Sequence, residues 1–209
     1  MDSPWQQDAN GWVSVLVAAN QAGIKTNLEL VSIAPDRIRQ LALPCIPHLD
    51  TLIVNEYELG AVANIDICNK DGTINQKSCT QAAQSLFSYS EKHNGHLQLV
   101  VVHSPTKAIA VTSNNDITCL ESFKVDNKKI SSSVGAGDAF AAGMLYGLHE
   151  GWSLESSIEL AHAVAAASLR SPTTVGSVES VALVLEFAHS SQNKSGIIET
   201  TRNNTKEKL

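Results

Sequence analysis

At 209 residues, with 43% hydrophobic and 17% charged side chains, the chain has the make-up of one ordinary globular domain with a sizeable core. A formal net charge of −6 excludes an electrostatic footprint for nucleic acid or an acidic membrane surface, and no apolar run approaches the length that spans a bilayer. The polar start MDSPWQQDAN does not read as a signal peptide, and Cys45, Cys68, Cys79 and Cys119 are scattered without metal-like spacing, the pattern of reduced thiols in a cytoplasmic protein.

Residues 12–22 carry a helical pattern closed by Gly23, a residue suited to the left-handed turn after a helix. Residues 25–31 alternate as a strand, 35–43 form a short helix with Pro35 in its first turn, and 51–54 are an apolar strand. An amphipathic helix over 80–91 leads to a strand at 97–102. Two shorter strands, 107–112 and 117–123, flank the turn cluster Ser113-Asn114-Asn115-Asp116. From there helices dominate: 137–148, then 153–169 with Ser153 as N-cap, then 178–188. This alternation predicts an α/β fold, a mostly parallel sheet with helices on both faces.

Two segments carry chemistry. In Gly135-Ala136-Gly137-Asp138, two glycines and an alanine can turn several backbone N–H groups toward an anion at a helix N-terminus, with a carboxylate beside them. That pairing suits removal of a proton from a hydroxyl while a phosphate approaches it. The same residues also suit a plain glycine-rich turn with an acid in the first helical turn. Asn55 and Glu58 follow the apolar run Leu52-Ile53-Val54, at the strand end where open α/β sheets bind ligands. They equally suit an Asn cap with a first-turn Glu.

Residues 135–169, GAGDAFAAGMLYGLHEGWSLESSIELAHAVAAASL, resemble the C-terminal signature of the ribokinase-like, or PfkB, carbohydrate kinases. Asn55-Glu56-Tyr57-Glu58 matches the Asn-x-x-Glu motif of the same family, in the right order. The resemblance runs from about Gly11 to Ala188 and implies a ribokinase-like fold over 1–189, without the family's first strands, small β-lid and early sugar-holding segment. A polar tail expected to be disordered follows at 190–209. It implies ATP-dependent phosphorylation of a hydroxyl on a sugar or related small molecule. Asp138 would be the general base, and Gly135, Ala136 and Gly137 the anion hole. Asn55 and Glu58 would organise the ATP phosphates and, through water, Mg²⁺. His162 falls where many relatives place an Asn against adenine. A satisfied, half-buried helix histidine fits that position as well. The alternative activity is a fragment or degenerate kinase that binds nucleotide without turnover.

Three departures from the family pattern qualify those expectations. Ser132 and Ser133 replace the Asp-Thr that helps hold a monovalent cation, which argues against a K⁺ requirement and leaves Ser177 a weak ligand candidate. The loop after the 97–102 strand reads His103-Ser104-Pro105-Thr106-Lys107-Ala108 in place of Thr-x-Gly-x-x-Gly. Pro105 lacks a donor and fixes φ, so this loop cannot cradle phosphate in the usual way. The third is His162 itself. The implied partner is a small sugar-like molecule, not nucleic acid or membrane, and the oligomeric state is not implied.

Overall fold

The computed structural model describes residues 1–173 and 175–192. Its apolar run at 51–54 becomes β2 (Thr51–Asn55), bonded in parallel register to β1 (Asn27–Leu28) on one side and β3 (Leu99–His103) on the other. β4 (Lys107–Thr112) and β5 (Ile117–Glu121) complete a five-stranded sheet in the order β1-β2-β3-β4-β5. Three residues join β3 to its neighbour β4, a connection only an antiparallel pair can use. Ser113 N–H donating to the Gln98 carbonyl closes that hairpin at its far end. Leu52, Ile53 and Val54 are all buried, as are Val100, Val101 and Val102, so successive residues on both faces of these strands are covered. Each such side chain contributes about 1.5–3 kcal/mol relative to exposure.

Among the described residues the helices are α1 (Gly11–Gln21), α2 (Pro35–Ala42), α3 (Glu56–Ala63), α4 (Gln76–Lys92), α5 (Ala136–His149), α6 (Leu154–Ser168) and α7 (Val181–Gln192). Two compact units emerge. One holds Met1–Ser104 with Ile109–Asn115; the other holds Pro105–Ala108 with the described residues from Asp116 onward. In the first, Ile38 of α2, Leu59 and Val62 of α3 and Leu86 of α4 are fully buried. In the second, α6 packs against α5, α7 and β5, and Phe123, Leu160, Ala163, Ala167, Val184 and Ala188 form one apolar cluster.

Several element ends differ from the sequence pattern for local reasons. The strand expected at 25–31 shrinks to two residues, because Thr26 is held through its N–H and hydroxyl by Asp50 and Val31 is 76% exposed. The helix expected at 35–43 passes at Leu43 into a 3₁₀ segment, Leu43–His48, that contains Pro44 and Pro47. α4 starts four residues early, because Asn75 Oδ1 accepts the Ser78 N–H as its cap. Gly23 does end α1 with φ of +71°. The tail expected at 190–209 begins inside α7, and its residues 193–209 lie outside the described residues.

The α5–α6 seam depends on two glycines one turn apart. A Cβ on Gly143 would lie 2.8 Å from Ala161 Cα, and one on Gly147 would lie 2.5 Å from Ser157 Oγ. At Gly143 backbone lies against backbone, and at Gly147 the Ser157 side chain fills the space that a Cβ would take.

Candidate active site

At the end of β2 the chain turns into α3 through Asn55, whose extended backbone (φ −80°, ψ 174°) makes it the N-cap. Its Oδ1 accepts the Glu58 N–H at 2.9 Å, and its own N–H donates to Glu58 Oε2 at 3.1 Å, a reciprocal capping box. The other carboxylate oxygen, Glu58 Oε1, accepts the Ser32 hydroxyl at 3.2 Å, and Asn55 Nδ2 donates to Ser32 Oγ at 3.4 Å. Glu58 is only 5% exposed. Burial pushes its carboxyl above the ordinary range, opposed by the bonds from Asn55 and Ser32 and reinforced by the nearby Glu56 charge. The cap and the buried carboxylate are thus one structure. Ser32 carries no sequence signal and enters only through tertiary placement.

Glu58 supplies one carboxylate, and among the described residues no group of three or more His, Cys, Asp or Glu could hold a metal ion. That donor set does not fit a directly ligated cation. A Mg²⁺ that keeps its own waters needs few protein carboxylates, and both Glu58 oxygens here accept from Ser32 and Asn55.

In the second unit, the segment before α5 is clipped to the end of α6. Ser131 and Ser132 N–H donate to the Leu169 carbonyl at 2.8 and 3.4 Å, and Ser131 Oγ donates to the Arg170 carbonyl at 3.2 Å. Ser132 Oγ then accepts the Val134 N–H at 3.1 Å. Gly135, at φ +81°, adopts the left-handed conformation that starts α5 and caps it without a side chain. The Ala136 N–H turns back to the Ser133 carbonyl at 3.2 Å, and the Ala139 N–H closes the first turn on Gly135. Gly137 and Asp138 N–H therefore lie in the first turn, where a helix offers no internal acceptor. Of the expected anion-hole donors, Ala136 is engaged within the turn. Asp138 is exposed, and its side chain makes no hydrogen bond or ion pair among the described residues.

His162 lies on α6 with its ring enclosed. It is 4% exposed, packs edge-on against Phe140 at 5.2 Å between ring centroids, and has both nitrogens engaged. Nδ1 faces Ser122 Oγ and Nε2 faces the Leu120 carbonyl, each at 3.3 Å. A carbonyl can only accept, so Nε2 carries the proton and Nδ1 accepts the hydroxyl. Ser177 offers its carbonyl to Arg170 Nη2 at 3.0 Å. His103, at the end of β3, is pushed down to about 4 by burial. Pro105 sits in the three-residue connection to β4. The structure thus joins Asn55 with Glu58 in the first unit, and Gly135, Ala136, Gly137 and Asp138 in one turn of the second.

Residues 10–181 match the profile of the pfkB family carbohydrate kinases. Over 168 residues the chain is 27% identical to an adenosine kinase of Schizophyllum commune, covering 77% of this chain and 47% of that one. Over 138 residues it is 28% identical to a 5-dehydro-2-deoxygluconokinase of Clostridium beijerinckii, covering 66% and 38%. The chain therefore spans less than half the length of these curated relatives. An Arabidopsis thaliana ribokinase, solved with ribose and ATP, superposes with a TM-score of 0.68 at 18% identity, over 85% of this chain and 51% of its own. The fold is ribokinase-like.

Proposed function

From the premise that this chain belongs to the pfkB family of carbohydrate kinases, we propose that it takes part in transfer of the γ-phosphoryl group of ATP to a hydroxyl of a sugar or nucleoside. The observation that carries the reading is the turn at 135–138. A left-handed glycine opens a fourteen-residue helix, and an unpartnered carboxylate stands in its first turn. Asp138 accepts the proton of the acceptor hydroxyl as its oxygen attacks phosphorus, and the bond to ADP breaks. The N–H groups of Gly137 and Asp138, with the helix dipole behind them, face charge growing on the transferred group. The Gly135 backbone sets their direction. Positioning and electrostatics supply most of the catalysis in such transfers.

Asn55 and Glu58 are assigned to the phosphates and to hydrated Mg²⁺, a role that requires Glu58 to release the Ser32 hydroxyl. When bound, the ion neutralises phosphate charge. His162 is assigned no nucleotide contact, because both its nitrogens serve the protein. The acceptor is a small molecule; the relatives' names make adenosine and ribose the first two to try.

The test is ATP consumption by the full chain against a panel of sugars and nucleosides, with Asp138→Asn as the control. General-base loss is expected to cost about 10²–10⁴-fold in turnover. Equal turnover by the variant sinks the assignment. A second reading, nucleotide binding without turnover, draws on Pro105 in the β3–β4 connection. It predicts that ATP raises the unfolding temperature while no acceptor is phosphorylated.

A further inference from the structure

The carboxylate of Asp138 has no side-chain partner, so its position is set wholly by the backbone that carries it. That backbone is tethered just upstream, where Ser131 and Ser132 bond to the carbonyls of Leu169 and Arg170 at the end of α6. A tether is only as firm as its anchor, and the carbonyls past a helix end have no intrahelical partner to hold them. Here the backbone that carries them is tied down by a side chain. The Arg170 side chain reaches three other places in the second unit. Nε bonds back to the Ala167 carbonyl at 3.4 Å, and Nη2 bonds to the Ser177 carbonyl at 3.0 Å and to Glu179 Oε2 at 3.3 Å. The guanidinium also lies over the Phe187 ring of α7, with Cζ 4.0 Å from its centroid.

We propose that Arg170 is a positioning residue. By pinning the end of α6 to the 177–179 segment and to α7, it fixes the carbonyls on which Ser131 and Ser132 hang, and through them the turn that carries Asp138. The chemistry favours arginine for this task. A planar fork can stack on a ring and donate to two acceptors at once, which the point charge of a lysine cannot reproduce. A cation at a helix C-terminus also meets the negative end of the dipole. The functional half of the inference rests on the phosphoryl-transfer reading above; the structural half does not.

The test is residue-resolved amide hydrogen exchange on the full chain, wild type against Arg170→Met. The expected result is exchange about tenfold faster at Ser131 and Ala136, with the α6 interior amides of Ala163 and Ala166 unchanged. Unchanged exchange at Ser131 and Ala136 overturns the proposal. Uniform acceleration across the second unit also overturns it, because Arg170 would then merely stabilise the fold. If the Met variant does not fold, Arg170→Lys takes its place under the same criteria. On an acceptor that turns over, the variant is expected to lower kcat about tenfold at unchanged KM for ATP. Asp138→Asn, run alongside, reports separately on the phosphoryl-transfer reading.

Discussion

Asn55 and Glu58 hold each other twice, side chain to backbone in each direction, at 2.9 and 3.1 Å. The motif read as a ligand site is therefore also the first turn of α3. Any substitution at either residue changes the fold's stability along with its chemistry.

Glu58 gives that coupling a pH signature. Its folded-state pKa lies above the ordinary 4.5, so the folded chain keeps the proton longer than the unfolded one. Its contribution to stability is then full below 4.5 and is lost as pH rises through the folded value. Glu58→Gln removes this pH dependence. Thermal scans from below pH 4.5 upward are expected to show the wild type losing ground to the variant across that window. A difference between the two that does not change with pH contradicts the assignment.

His103 has the opposite sign. Burial holds it down to about 4 against an ordinary 6.5, so the unfolded chain protonates first as pH falls. Its contribution is full above 6.5 and is lost between there and about 4. His103→Asn is expected to flatten that limb of a denaturation-versus-pH curve.

Gly143→Ala tests the α5–α6 seam. The added Cβ would meet Ala161 Cα at 2.8 Å and the Leu160 carbonyl at 3.1 Å, both backbone atoms that cannot swing aside. Overpacking of this kind costs about 1–3 kcal/mol, to be read from urea denaturation. A neutral result would mean that the helices separate freely.

His162→Phe keeps a ring against Phe140 and deletes both polar contacts. It removes the hydrogen bonds to the Leu120 carbonyl and the Ser122 hydroxyl, at a cost of about 1–3 kcal/mol in folding. The ATP dissociation constant is expected to move by less than about threefold. A larger change in ATP affinity would return His162 to the nucleotide site.

Signals carried by neighbours in the chain were legible from the sequence. Helical periodicity placed α5 and α6 within a residue or so, with Ser153 as the cap of α6, and the Asn55–Glu58 spacing allowed the capping box that forms. Signals set by distant parts were not. The alternation at 25–31 did not reveal that Asp50, far along the chain, would take Thr26 and leave Val31 in solvent. Nor does any motif announce Ser32 beside Glu58, or Ser122 beside His162. The catalytic expectation at Asp138 rests on its local turn, which formed, while the moorings of that turn lie some forty residues downstream and are visible only in three dimensions.

The bare contact at Gly143 and Gly147 makes the position of α5 along its own axis a discrete quantity. With Gly143 seated against the Ala161 backbone and Gly147 against Ser157, one turn apart, the helix has no intermediate resting place. A slip would have to carry it a whole pitch of about 5.4 Å. Asp138 lies five residues before Gly143 on the same rigid rod. Enlarging Ala161 or Ser157, neither of which touches a reacting group, would therefore shift the carboxylate itself, as a displaced gear tooth turns up at the far end of its shaft.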